Sequence, residues 1–309
     1  MMAKDGKVNR SRMLWLGFLL CLVAAANAEI YRYQDENGRW VFSDKKPEKD
    51  QPVEAVEVNI TRPPQHTPEL YEKRQGQLRQ LWLHNPYFAP VQAAVRSTMF
   101  ERGHRVLMLE PNSHTLVGEI DKPLPTYELG YVIGSPKAKH SDVLYRIPLP
   151  EQQFFQVTQG FGGQFSHNHP SGYHAIDIAM PIGSYIHAAR SGTVIWVKDD
   201  YHLGDAQQFF LDKANYVSVL HEDGTYAVYA HILQGSAMVK SGEQVKAGDA
   251  LARSGTSGYS TGPHLHFVVR RNAGFRNLSV PYQFADEQGR AFVPTRGMKV
   301  SGSGRASKP

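Results

Sequence analysis

Apolar positions along this chain fall into short β-branched and aromatic runs, cut at close intervals by Gly, Pro, Asn and Asp. Ile30, Tyr31 and Tyr33 lead through Asp35-Glu36-Asn37-Gly38 to Trp40, Val41 and Phe42. An Asn-Gly turn between two such runs predicts a β-hairpin with one buried face. The polar, Pro-rich stretch from Thr61 to Pro68 reads as a linker. Between Glu69 and Leu83 the texture changes: Leu70, Leu78, Leu81 and Trp82 stand among charged and Gln residues, a pattern that predicts a helix ending at His84-Asn85-Pro86.

Beyond that point short runs return. Val106 to Leu109, Leu116 to Ile120 and Tyr131 to Ile133 are broken by Gly, Pro and Asn, which predicts a small β-rich domain over 86–146. From Ile147 the runs tighten into Val194 to Val197, Tyr216 to Leu220, Tyr226 to Ala230 and Leu265 to Val269, with glycines between them. That spacing predicts an antiparallel sheet, sandwich or barrel over 147–285 rather than βαβ units. Residues 286–309 read as a C-terminal tail, and the Ser-Gly-rich stretch after Met298 is expected to be disordered. The expected fold class is therefore mainly β, in the order hairpin module (29–61), linker and helix (62–85), β-rich domain and sheet domain.

The N-terminus changes how composition is read. Lys4, Lys7, Arg10 and Arg12 precede the almost wholly apolar run Met13 to Ala26, and Ala26-Asn27-Ala28 puts small residues where a signal peptidase cuts. The apolar run is shorter than the roughly 20 residues a membrane span requires, so residues 1–28 are expected to be a cleaved signal. Leu20 before Cys21 is too large for a lipoprotein signal, and the only cysteine would leave with the signal, excluding disulfides and thiol chemistry. Setting aside its four cations and one acid leaves about +2 of the formal +5, so the charge does not point to nucleic acid. No later stretch is apolar enough to span a bilayer, so the mature form is not expected to be membrane-spanning.

Candidate chemistry gathers where histidines do. Of fourteen, nine lie between 167 and 266: His167, His169, His174, His187, His202, His221, His231, His264 and His266. His264-Leu265-His266 sits on a predicted strand, where residues i and i+2 share a face. Two imidazoles on one face suit a metal-and-water site, or simply a polar face. His231 ends the run Tyr229-Ala230-His231, a position as often structural as functional. Asp177, flanked by Ile176 and Ile178, must be paired or ligating if it is buried.

Four ordered blocks then carry a resemblance over about 147–285. Asp177-Ile-Ala-Met-Pro-Ile-Gly-Ser, Ala188-Ala-Arg-Ser-Gly-Thr-Val, Tyr229-Ala-His231 and Ser254-Gly-Thr-Ser-Gly-Tyr-Ser-Thr-Gly-Pro-His-Leu-His-Phe resemble the lysostaphin/LytM-type zinc metallopeptidases, with their duplicated hybrid motif. The resemblance implies one zinc ion per chain, with Asp177 and His266 as ligands and His231 and His264 as the catalytic pair. It also implies peptidoglycan as partner and substrate, and a peptide bond in it as the target. The usual His-x-x-x-Asp spacing would place the remaining ligand at 173, which here is Tyr173. Gln159-Gly-Phe-Gly-Gly-Gln-Phe-Ser-His167 is similar to a long-loop variant, so the resemblance points to His167, with His169 and His174 as alternatives. His174 lies at an odd spacing from Asp177, which on a strand would turn it to the opposite face.

Ile30 to Asp44 resembles a short domain of unknown function found at the start of exported Gram-negative proteins, implying the periplasm or cell envelope. Two other readings stand beside the enzyme: a wall-binding regulator on the same fold that has lost catalysis, and a biotinyl- or lipoyl-carrier-like module suggested by Val239-Lys-Ser-Gly-Glu-Gln-Val-Lys-Ala-Gly-Asp. The full set of ligand types argues against the first; the second lacks a convincing modifiable lysine at a hairpin tip, and a carrier has no use for HxH.

Overall fold

In a computed structural model of the chain, residues 29–34, 40–43, 54–57, 67–76 and 78–307 are described. The expected signal, residues 1–28, lies outside them. The chain divides into two compact units, 1–61 and 62–309. In the first, β1 (Glu29–Gln34) and β2 (Trp40–Ser43) pair antiparallel with Gln34 opposite Trp40, as the Asn-Gly turn predicts. A third strand, β3 (Glu54–Glu57), joins the other edge of β1.

The second unit begins with a departure from expectation. The predicted helix over 69–83 is instead two antiparallel strands, β4 (Glu69–Gln75) and β5 (Leu78–Asn85), with Glu69 opposite His84. Gly76, at φ +63°, turns the chain between them, a backbone region that glycine enters without steric cost. Burial along β5 has period two: Leu81, Leu83 and Asn85 are buried while Leu78 is exposed. The apparent helical stripe joined leucines that the turn places on different strands.

Strands β6 (Val91–Arg96), β7 (His104–Leu109), β8 (Ser113–Ile120) and β9 (Glu128–Ile133) complete two three-stranded sheets, ordered β4-β5-β8 and β7-β6-β9. Leu70, Leu81, Leu83, Val91, Val95, Leu109 and Val117 form their shared core. The expected boundary at 85/86 therefore does not exist, because β5 pairs with β8 across it. These two sheets also pack directly on the C-terminal part of the chain. The Tyr87 ring sits 5.1 Å from that of Trp196, and Asn272 Nδ2 donates to Gly134 O at 2.8 Å.

The remaining strands are β10 (Phe155–Gln159), β11 (Ile176–Ala179), β12 (Tyr185–His187), β13 (Gly192–Lys198), β14 (Tyr216–Leu220), β15 (Tyr226–Ala230), β16 (Gln244–Val245), β17 (Ala250–Arg253), β18 (His264–Asn272), β19 (Asn277–Ser279), β20 (Phe284–Ala285), β21 (Ala291–Phe292) and β22 (Lys299–Val300). Nine of them build one antiparallel sheet, ordered β16-β13-β14-β15-β18-β11-β10-β22, with β19 beside β18. Alternation divides its two faces. Ile176, Ile178, Val217, Val219, Ala227, Tyr229, Leu265, Phe267 and Val269 face a core closed by Ile186 of β12 and Leu251 of β17. The Phe267 ring lies 5.1–5.9 Å from those of Tyr229, Tyr282 and Phe284. Losing a ring so packed costs about 3–5 kcal/mol. The opposite face carries Asp177, Ser218, Val228, Ala230, His264, His266 and Arg270 as the floor of a cleft of about 610 Å³. Ile133 of β9 walls one end of it.

The expected tail is also part of the fold. β20 pairs with β21 across the predicted 285/286 boundary, Phe284 opposite Phe292. β22 pairs with β10, burying Val300 opposite Phe155, and Ser301 N donates to Arg305 O while Gly302 N donates to Pro150 O. Residues 299–307 are thus held by backbone hydrogen bonds and the buried side chains of Val300 and Ser301, which Ser-Gly composition does not reveal.

Candidate metal centre

Register brings the site together. β11 lies between β10 and β18, and β18 lies between β11 and β15, so His266 is opposite Asp177 on one side and Ala230 on the other. The even spacing of 264 and 266 then points both imidazoles into the cleft while Leu265 enters the core. His167 arrives from elsewhere, on the irregular segment that follows β10. It is fully buried, its Nδ1 donates to Gly160 O at 2.9 Å, and its Nε2 lies 3.1 Å from Asp177 Oδ1. His266 sets Nδ1 2.8 Å from the same oxygen. One donor atom from each of His167, Asp177 and His266 falls within 4.8 Å of the others, an arrangement that could hold a metal ion.

The chemistry of these donors fits a cation. With the Nδ1 proton of His167 committed to Gly160, its Nε2 presents a lone pair to a carboxylate oxygen 3.1 Å away. Two acceptors at that distance repel unless positive charge lies between them. Burial opposes the charge of Asp177, yet contacts with His167 and His266 and the nearby His264 hold its carboxyl well below the usual range. Burial pushes His266 down, against the pull of Asp177. A charged carboxylate flanked by imidazoles is a donor set that ligates metals.

His231 and His264 stand beside this group. Their ring centroids are 4.4 Å apart, and His264 Nε2 is 3.9 Å from Asp177 Oδ1. His231 Nδ1 donates to Ser257 O at 2.7 Å and His264 Nδ1 to Gly262 O at 2.8 Å, leaving both Nε2 atoms as acceptors. Burial, then the neighbouring His264 and His266, push His231 down to about 3. Continued alternation would have sent His231 into the core beside Tyr229. Its φ of +64°, strained for a non-glycine residue, turns the chain at the end of β15 and brings the ring to the cleft instead.

The structure thus gathers all five sequence-predicted residues; the alternatives His169 and His174 stand outside the three-donor group, although His169 also lines the cleft. His174 precedes β11 in a turn, so the odd-spacing argument does not apply to it. Its Nδ1 is instead 3.1 Å from Ser279 Oγ. His169 is paired with Ser171 Oγ at 3.0 Å. His187 and His221 bind the carbonyls of Gly248 and Ser191.

Sequence reasoning missed Gln159. Its Nε2 donates to Asp177 Oδ2 and Ser166 Oγ, both at 2.8 Å, and its Oε1 accepts from Phe165 N at 3.0 Å. One amide therefore orients the carboxylate and pins the segment carrying His167. A Cβ at Gly163 would stand 2.2 Å from Gln159 Cγ, so only glycine leaves room for that amide. The Gly-rich run after Gln159 was the one available signal.

Residues 171–278 match the family described as Peptidase family M23. The chain carries a peptidase family M23 domain. The match contains Asp177, His231, His264 and His266, whereas His167 precedes it. Residues 17–69 match a domain of unknown function, DUF4124. The M23 region is similar to the peptidoglycan DD-endopeptidase ShyB of Vibrio cholerae, 31% identical over 127 residues that make up 40% of this chain and 27% of that protein. Lysostaphin of Staphylococcus staphylolyticus is 32% identical over 96 residues, 31% of this chain and 18% of that protein. Among solved structures, the catalytic domain of the prophage-encoded M23 protein EnpA of Enterococcus faecalis is 28% identical, covering 41% of this chain and 88% of that one at a TM-score of 0.33. The chain spans about a quarter of the length of the curated relatives it matches, 27% for ShyB. No helix among the described residues is long and apolar enough to cross a membrane.

Proposed function

We propose that this chain is an exported zinc metalloendopeptidase of the Gram-negative envelope that hydrolyses peptide bonds in peptidoglycan. The convergence of His167, Asp177 and His266 within 4.8 Å, with Asp177 and His266 on the floor of an open cleft and His167 buried beside them, carries the reading. Two imidazoles and one carboxylate form the donor set of catalytic zinc sites, which leave a position for water. When bound, zinc acidifies that water and polarises the scissile carbonyl. His167, Asp177 and His266 would hold the ion, and Gln159 would orient Asp177 and the His167 segment around it.

His231 and His264 do the remaining work. Both present Nε2 to the cleft with Nδ1 fixed on a backbone carbonyl, so each has a set tautomer and a set direction. As an acceptor, one Nε2 would take the proton from the attacking water, and the imidazolium so formed would donate it toward the developing oxyanion or the leaving amine. The relatives whose names specify peptidoglycan or glycyl-glycine endopeptidases support a wall peptide as substrate.

The test is digestion of isolated peptidoglycan by the zinc-loaded chain, with released fragments identified by mass. Fragments with peptide bonds cut and glycan strands intact are expected. Unchanged cross-linking with full zinc occupancy would refute the activity and leave a wall-binding regulator.

A further inference from the structure

Among the residues that line the cleft, only Asp177 and Arg270 are Asp, Glu, Lys or Arg. Asp177 is committed to the histidine cluster. Arg270 is not neutralised: no carboxylate among the described residues lies within ion-pair distance of it. Its Nε donates to Ser171 O at 2.7 Å, and among the described residues its two terminal amino groups form no hydrogen bond. The guanidinium is therefore anchored at one corner while its two-pronged end stays unused.

Its surroundings make that end a strong anion receptor. Arg270 is half-buried, opposite Tyr226 in the β15–β18 register and opposite Ser279 on the other side. Trp196, Tyr216 and Ile133 line the same cleft. Burial pushes Tyr216 up to about 12, so the neighbouring phenol is uncharged near neutrality. A cation among aromatic and apolar groups is poorly screened, and a guanidinium matches a carboxylate with two parallel hydrogen bonds.

Position sets what it can read. Arg270 follows His266 by four residues on the same strand face, about 13 Å along β18 at ~3.3 Å per residue. A substrate lying along the cleft at the metal centre would pass over it.

We propose that Arg270 is a specificity residue that binds a free carboxylate of the substrate peptide, selecting acidic stem peptides over amidated ones. This rests on the reading of the cleft as that of a wall-peptide endopeptidase. Stem peptides of peptidoglycan carry such carboxylates, and amidation removes the charge while keeping the shape.

The experiment uses two synthetic cross-linked stem-peptide dimers, one with free carboxylates and one with carboxamides, and the zinc-loaded full chain. Wild type should cleave the acid at least tenfold better in kcat/KM, the difference lying mainly in KM. Arg270→Gln should bring acid and amide within about twofold, and Arg270→Lys should retain an intermediate preference. A purely structural role in anchoring Ser171 would lower both rates alike and leave the ratio intact, which would overturn the proposal. Equal cleavage of both dimers by wild type, a comparison that needs no variant, would overturn it alone. Cleavage of neither would remove the functional reading and this proposal with it.

Discussion

Replacing His167 by Ala should weaken zinc binding steeply, whereas replacing His174 should not. His167 is fully buried, its ring is pre-set by the 2.9 Å bond to Gly160 O, and its Nε2 faces Asp177 at 3.1 Å. Four-ligand structural zinc sites bind with about 10–16 kcal/mol, so one ligand supplies about 3 kcal/mol. Its removal should weaken zinc by about a hundredfold or more. His174 has its Nδ1 3.1 Å from Ser279 Oγ, and its loss should cost about 1 kcal/mol of stability with zinc affinity unchanged. Competition against a chromophoric chelator would measure affinity, with circular dichroism to establish that each variant is folded. A folded His167→Ala protein with wild-type affinity, or a His174→Ala protein without zinc, would refute the assignment.

His231→Ala and His264→Ala should each lose hydrolysis while keeping about one zinc per chain by elemental analysis. Metal loss in either would make it a ligand. Gln159→Ala should weaken zinc by about 10–100-fold, read by the same chelator titration, because it frees both Asp177 and the His167 segment. His221, far from the metal group in sequence and pairing, should shape acid stability. Burial, against the Ser191 carbonyl bond, pushes it down to about 4 from 6.5, so the unfolded chain binds its proton first as pH falls. Its contribution is complete above 6.5 and is lost toward 4, amounting to about 2 kcal/mol between pH 7 and pH 5. Urea unfolding of wild type and His221→Asn, whose amide can still donate to Ser191 O, should show the variant losing less stability over that interval. An identical loss in both would exclude His221.

What the chain alone determined was whatever repeats with a period. Alternation in Ile176-Asp177-Ile178 and His264-Leu265-His266 specifies that the polar members share one face and the apolar members the other, so three site residues and the β class were legible from the residues alone. The pairing of β1 with β2 was equally plain, since an Asn-Gly dipeptide between two such runs predicts it; the turn itself lies outside the described residues. Tertiary structure decided the rest, for reasons of contact rather than pattern. The leucines of 69–83 fit a helical stripe until Gly76 reverses the chain and pairing with β8 selects period two. Residues 299–307 look soluble by composition, but Val300 fills a place beside Phe155 that only the folded sheet creates. His167 comes from an irregular segment, so nothing in its spacing tells it from His169 or His174; the Gly160 carbonyl and the Gln159 amide do. His231 reaches the cleft through one left-handed residue, which overrides strand alternation. And Arg270 becomes notable only because no carboxylate among the described residues pairs with it, which is a property of a cleft and not of a sequence.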